Sequence, residues 1–118
     1  EFRRVLFRSD AAMRRILAGG KRPTAVLAQN DDMGVAAIMA ARDAGLDVPG
    51  DISIVGFDDS DVSRLSWPRL TTVRQPVFEM AEVACDGLLE MLGGAPTPAL
   101  RVLGHELLVR QSTAAPRA

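Results

Sequence analysis

Three apolar segments, each followed at once by polar side chains, constrain the fold of this chain of 118 residues most strongly. They read PTAVLAQNDD at residues 23–32, GDISIVGFDD at 50–59 and PRLTTVRQP at 68–76. Each is typical of a short buried strand, because apolar and β-branched residues run together between turn residues. In an open α/β sheet, ligands bind beyond the carboxyl ends of the strands. The pattern therefore predicts a polar small-molecule site at one edge of a sheet.

Helical spacing of apolar or small residues fills the intervals between these segments. It predicts helices over residues 10–18, 33–44 and 77–92. Two further short strands are predicted at 100–103 and 106–109. Strands that alternate with helices indicate an α/β fold, with a mostly parallel sheet flanked by helices.

Composition excludes several classes of protein. The chain has one cysteine, which rules out an internal disulfide, and one histidine, so neither a metal nor another cofactor is expected. Its formal net charge of −1 gives no electrostatic footprint for nucleic acid. No apolar run approaches the roughly 20 residues that cross a bilayer, and no membrane contact is expected.

Residues 1–9, EFRRVLFRS, are expected to be foreign to the protein. RRVLFRS matches the in-frame translation of a common sequencing adapter, and Glu-Phe before it matches a restriction-site scar. Such segments are set aside in reasoning about the fold; the alternative is a genuine amphipathic helix start. The authentic sequence then begins near Asp10, as the carboxyl-terminal piece of a longer protein. Residues 111–118 have few packing groups and are predicted to be a flexible tail.

Three polar residues at strand ends are the candidate ligand contacts. The Asp31 carboxylate can accept hydrogen bonds from the hydroxyl groups of a sugar or nucleoside, or it can cap the helix that follows. Asn30 can serve the same pocket or shape the turn. The Gln75 amide both donates and accepts, which suits a ligand rich in hydroxyl groups; helix capping is the alternative here too.

The sequence offers no catalytic centre. Asp58 and Asp59 are adjacent, and alternation along an extended chain points their side chains to opposite sides. Paired catalytic carboxylates must instead flank one bond, so these two are predicted to shape the loop. No glycine-rich phosphate loop is present. The chain is therefore predicted not to be an enzyme; the alternative is an enzyme that uses the acidic pairs at 31–32 or 58–59.

These motifs, in this order, resemble the carboxyl-terminal part of LacI/GalR-family transcriptional regulators. The chain shows RPTAVLAQND, GLDVPGDISIVGFDD, PRLTTVRQP and ELLVRQST at the family's spacing. The resemblance implies a sensor domain with the fold of periplasmic sugar-binding proteins, in which two α/β lobes enclose a small effector. Residues 10–110 would be the carboxyl-terminal portion of that effector-binding domain. The family's effector contacts map onto Asp31 and Gln75.

The resemblance also implies partners and a location. It implies a small effector, commonly a sugar, a cytoplasmic homodimer, and contact with operator DNA only through an amino-terminal helix-turn-helix that this sequence lacks. We assign the dimer surface to Met33, Ala37, Ala40 and Trp67, although Trp67 could also stack on a ligand or cap its loop. The alternative function is a fragment of a periplasmic sugar-binding transport protein, and the closing LVRQST favours the regulator.

The resemblance makes one prediction about packing. In the family, the helix that corresponds to residues 77–92 packs on a second lobe, and most of that lobe is absent from this sequence. The apolar stripe of this helix is therefore expected to lack its cover.

Overall fold

The computed structural model describes residues 2–96 and 100–117. Its helices are α1 (Phe2–Leu17), α2 (Asp31–Asp43), α3 (Asp61–Leu65) and α4 (Val77–Leu92). Its strands are β1 (Ala25–Leu27), β2 (Ser53–Phe57), β3 (Thr71–Arg74) and β4 (Glu106–Leu108). Residue 1 of the proposed adapter segment and residue 118 of the predicted tail lie outside the described residues.

The chain divides into two compact units. The first unit comprises Glu1–Arg74 and Leu107–Ala118, and the second comprises Gln75–Glu106. The first unit therefore contains the three parallel strands and the helices between them, whereas α4 belongs to the second.

The strands form one sheet in the order β1-β2-β3-β4. β1 pairs with β2 in parallel, with Val26 opposite Ile54, and β2 pairs with β3 in parallel, with Gly56 opposite Thr72. The carboxyl ends of these three strands consequently meet at one edge of the sheet. This arrangement confirms the predicted α/β class and its mostly parallel sheet.

The core of the first unit lies where α1 and α2 pack together and α2 covers the sheet. Met13 of α1, Ile38 of α2 and Ile54 of β2 belong to one buried apolar cluster. Ala37 and Ala40 belong to the same cluster, so these two residues do not lie on the surface where we had placed the dimer contact. Small side chains allow close approach of neighbouring backbones, and here the stripe of α2 is used inside the protomer.

Two helix starts differ from the prediction. α1 begins at Phe2 rather than near residue 10, because no proline or glycine interrupts the segment and each added residue brings one more backbone hydrogen bond. The residue that caps α2 is Asn30, whose Oδ1 accepts a hydrogen bond from the backbone N–H of Met33 at 2.9 Å. Asp31 is therefore the first residue of the helix and is not its cap.

The carboxyl-terminal region also differs from the prediction. Residues 100–103 form no strand, and β4 covers only Glu106–Leu108. The prediction of a flexible tail is wrong for residues 111–114, because the side chain of Ser112 is fully buried. Its hydroxyl donates to the carbonyl of Ile54 and accepts from the N–H of Thr71, the latter at 2.8 Å. Ser112 thus links β2 to β3.

The helix of the second unit is largely exposed along its length. The structure describes all of α4 and buries none of its residues. Its apolar side chains include Leu88, Phe78 and Leu92, the last of which is 85% exposed. The apolar face of this helix is uncovered in the structure, as expected. Among the described residues, no helix combines the length and the apolar character needed to cross a bilayer.

Candidate functional site

Asp31 joins the ends of all three parallel strands. It follows β1, and its side chain is 1% exposed. Its Oδ1 accepts a hydrogen bond from Oγ1 of Thr72, on β3, at 2.6 Å. Its Oδ2 accepts from the backbone N–H and from Oγ of Ser60, beyond β2, at 2.7 and 3.0 Å. One carboxylate therefore ties together the edge of the sheet at which ligands are expected.

A glycine in β2 makes room for this carboxylate. A Cβ atom added to Gly56 would collide with Oδ1 of Asp31 and would lie 2.7 Å from Cδ2 of Leu70. Contacts this short do not occur between real side chains, so β2 has to be bare at this point. The glycine of the VGFDD motif is thus explained by the close approach of Asp31 to the strand.

The hydrogen bonds of Asp31 determine how many acceptor positions its carboxylate has left for a ligand. A carboxylate offers about four acceptor positions on its two oxygens, and three of them are filled. Burial of a charge is costly unless hydrogen bonds compensate it, and these three do so. About one acceptor position remains for another donor.

The other two predicted contacts have different surroundings. Asn30 uses its side-chain oxygen to cap α2, and no described residue accepts from its amide nitrogen. Gln75 is the first residue of the second unit, and its carbonyl accepts from the N–H of Val77 at 2.9 Å. Pro76 occupies the cap position of α4, so Gln75 is not the cap residue. That Gln75 and Asp31 contact the same ligand stays a prediction.

The remaining residues of the predicted dimer surface lie at or near the surface of the first unit. Met33 is half-buried and Trp67 is 70% exposed. The carbonyl of Trp67 accepts a hydrogen bond from Nη1 of Arg42 at 2.8 Å, which fixes the loop after α3 against α2.

A second polar cluster at this edge of the sheet was missed in the sequence. The Asp59 side chain is 2% exposed and forms salt bridges with three arginines. Its Oδ2 lies 2.9 Å from Nη2 of Arg64 and 2.8 Å from Nε of Arg74, and its Oδ1 contacts Nη2 of Arg110. The arginines come from α3, from the end of β3 and from beyond β4. No local sequence signal pairs them, because Arg110 lies 51 positions away from Asp59.

The backbone and the charge of Asp59 are both unusual. Asp58 and Asp59 have φ of 108° and 54°, in the left-handed region that few residues other than glycine adopt. The turn exposes Asp58 and buries Asp59, in agreement with the predicted loop-shaping role. Burial disfavours the ionised form of Asp59, but hydrogen bonds from Arg64, Arg110 and Arg74 outweigh burial and hold its pKa well below the usual value.

The two clusters contact each other. The backbone N–H of Asp59 donates to Oγ1 of Thr72 at 3.3 Å, and the same hydroxyl donates to Asp31. Within the part of the chain that the structure describes, no three side chains of the metal-binding types come together. The chemistry available at this edge is hydrogen bonding and ion pairing, which suits recognition of a polar ligand.

Comparisons with known proteins agree with this architecture. A family model described as a periplasmic binding protein-like domain matches residues 2–113. The match begins inside the segment 1–9, whose origin in an adapter stays a prediction. The HTH-type transcriptional regulator MalR of Streptomyces coelicolor is 51% identical to this chain over 96 residues, which are 80% of this chain and 28% of MalR.

Two solved structures are similar in fold. The dimeric Lac repressor with an 11-residue carboxyl-terminal deletion has a TM-score of 0.86 and 33% identity, over 95% of this chain and 41% of that one. The transcriptional regulator CelR in complex with cellobiose has a TM-score of 0.82 and 37% identity, over 91% of this chain and 33% of that one. This chain spans less than half the length of each protein. It belongs to the periplasmic binding protein-like domain family, in the form found in LacI/GalR-type transcriptional regulators.

Proposed function

We propose that this chain is the ligand-sensing part of a LacI-type transcriptional repressor. In the whole protein, a small effector would modulate the binding of operator DNA by an amino-terminal helix-turn-helix domain. The observation that carries the proposal is the polar network around Asp31 at the carboxyl ends of three parallel strands. Sites for polar ligands in open α/β sheets lie at this edge.

The effector contacts in the first unit would come from Asn30 and Asp31. The side-chain oxygen of Asn30 caps α2, and its amide nitrogen can donate a hydrogen bond to a ligand. Asp31 keeps about one acceptor position, and its buried carboxylate would have to become accessible for a ligand to use it. A hydroxyl group both donates and accepts, so this neighbouring donor and acceptor complement one hydroxyl group of a ligand. The contact from Gln75 rests on the resemblance alone.

A sugar is the ligand class that we propose. The CelR structure, which resembles this chain over 91% of its length, contains cellobiose. Sugars present many hydroxyl groups, and one of them could accept from the amide of Asn30 and donate to Asp31. The regulators reported above also favour this function over a transport protein or an enzyme.

The whole protein would act as a homodimer in the cytoplasm. The Lac repressor structure is that of a dimer. In this chain, the exposed apolar residues of α2, α3 and the loop after α3 include Met39, Leu65 and Trp67. We place the dimer contact on these three side chains and Met33, because Ala37 and Ala40 are buried inside the protomer.

The complete reading frame that encodes this chain provides the test. We expect a helix-turn-helix upstream, and heat on titration of the complete protein with at least one member of a panel of sugars that includes cellobiose. Asn30→Asp keeps a cap residue for α2 but removes the amide donor, so it should weaken that binding by about tenfold. Thr24→Val, at the opposite end of β1, should leave it unchanged.

Two results would contradict the proposal. One is a secretion signal in place of the helix-turn-helix, which would indicate a transport protein. The other is the absence of heat with every sugar and nucleoside tested on a folded, dimeric preparation.

A further inference from the structure

The chain leaves the first unit after Arg74 and re-enters it at Leu107. Arg74 is the last residue of β3, and Arg110 lies three positions beyond the point of return. An arginine thus lies at or near each crossing, on the side of the first unit.

Both of these arginines bind the same buried carboxylate. Asp59 contacts Nε of Arg74 at 2.8 Å and Nη2 of Arg110 more closely. Arg110 is held further by contacts of Nη1 with Oγ of Ser63 at 2.8 Å and with the carbonyl of Leu70 at 3.0 Å. Its backbone N–H donates to a threonine of β3 at 2.9 Å. The returning chain is therefore fixed to the sheet immediately after it arrives.

We propose that Asp59 is a positioning residue that anchors both crossings. Its carboxylate is 2% exposed while the three arginines surround it. Removing the carboxylate would leave the guanidinium of Arg110, which is only 16% exposed, without this compensating charge, and that is strongly unfavourable. The point of departure at Arg74 and the return before Arg110 are consequently held in one geometry by a single side chain.

Arg64 provides an internal comparison. It binds the same carboxylate at 2.9 Å and is about as exposed as Arg74, but it lies on α3 and not at either crossing. A purely structural role for Asp59 would make the three arginines equivalent. An anchoring role makes Arg74 and Arg110 important for the crossings and Arg64 dispensable for them.

The anchor is also connected to the proposed ligand site. Oγ1 of Thr72 accepts from the N–H of Asp59 and donates to Asp31, so one hydroxyl group bridges the two carboxylate residues. A ligand at Asp31 would then act on both crossings through Thr72, a consequence that rests on the proposed function. The anchoring role of Asp59 does not rest on the proposed function, because it concerns the protein without a ligand.

Amide hydrogen exchange on the 118-residue chain, with no effector present, tests the anchor. In Asp59→Asn, we expect the amides of Asp58, which donates to the carbonyl of Val73 just before the first crossing, and of Arg110 to exchange at least about tenfold faster, while the amide of Ala40 in α2 keeps its rate. In the matched control Arg64→Gln, all three amides should stay within about twofold of the unchanged protein.

Unchanged exchange of Asp58 and Arg110 in Asp59→Asn would overturn the proposal, as would equal acceleration of all three amides. If Asp59→Asn does not fold, Arg74→Gln and Arg110→Gln replace it. Each variant should accelerate amide exchange at the crossing next to its own arginine. Exchange rates equal to those of Arg64→Gln at both crossings would again overturn the proposal. Since no sugar enters this experiment, its outcome is independent of the proposed function.

Discussion

The first and second units differ in what holds their elements in place. In the first unit, a cluster of buried residues on α1, α2 and the sheet is joined to two buried carboxylates whose partners come from distant segments. In the second unit, α4 has 16 residues and none of them is buried. Most helical stability in proteins comes from packing of an apolar face. The comparison teaches that hydrophobic residues at helical spacing predict a helix but do not ensure that its apolar face is buried.

The largest difference between the units should come from equivalent truncations of apolar side chains. Ile54→Ala in β2 should lower the free energy of unfolding by about 2–5 kcal/mol, because it leaves a cavity in the core. Leu88→Ala in α4 removes a side chain that already faces water and should change it by less than about 0.5 kcal/mol. Urea unfolding followed by circular dichroism measures both. Similar losses for the two variants would break the comparison.

The hydrogen bonds around Asp31 in the first unit should also contribute measurably to the free energy of unfolding. Thr72→Val keeps the shape of the side chain but removes the donor to Asp31, so a buried carboxylate loses one of its three hydrogen bonds. We expect a loss of about 1–3 kcal/mol in the free energy of unfolding. The control is Thr24→Val, at an exposed position with no side-chain partner in the described residues, which should stay within about 0.5 kcal/mol.

Acid should weaken the first unit through Asp59. The pKa of this carboxyl is lower in the folded state than its unfolded value of about 3.9, so folding favours the ionised form. The resulting stability is complete above the unfolded pKa and is lost as the pH falls towards the folded pKa. Between about pH 5 and pH 2, the free energy of unfolding should therefore fall less in Asp59→Asn than in the unchanged protein.

A matched exposed carboxylate sharpens the acid experiment. Asp61 lies beside Arg64 with its side chain 91% exposed. Asp61→Asn should follow the pH profile of the unchanged protein, because ion pairs in water contribute little. A profile of Asp59→Asn that coincides with that of Asp61→Asn would contradict the role given to the arginine cluster.

The smallest effect is expected at the end of α4. Its last turn has no basic residue, and Leu92 is almost fully exposed there. Leu92→Lys places a positive charge near the negative end of the helix dipole, which should stabilise the helix by about 0.3–1 kcal/mol. It also removes apolar surface and should reduce self-association in sedimentation experiments. Lower helix content would show that Leu92 packs within the protomer in solution.

The sequence predicted those parts of the fold that depend on local patterns. β1, β2 and β3 follow from apolar runs bounded by turn residues, and α4 from apolar residues three and four positions apart. The predicted strand at 100–103 is wrong, since alternation of apolar residues cannot show whether a neighbouring strand is available. The position of Asp31 after the first strand was also foreseen, but the predicted burial of that strand is wrong: β1 lies at the edge of the sheet, and Leu27 is 73% exposed.

The parts that depend on distant contacts could not be predicted. Asn30, Asp31 and Asp32 are all good capping residues, and only the folded backbone shows that Asn30 takes the cap while Asp31 turns to Thr72 and Ser60. The arginines around Asp59 come from three separate segments, and their pairing depends on the loop geometry after β2. Ser112 looked like part of a frayed end because its two partners lie 41 and 58 positions away.

The Ser112 linkage has a practical consequence for handling the protein. Its hydroxyl serves a donor on β3 and an acceptor on β2, and Ala114 continues the link through Oγ of Ser53. A gene shortened to end at Arg110 would leave both strands with unmatched backbone groups beneath the surface. Affinity tags and fluorescent fusions should accordingly be attached after residue 114, and exoproteolytic trimming should slow sharply on reaching that point.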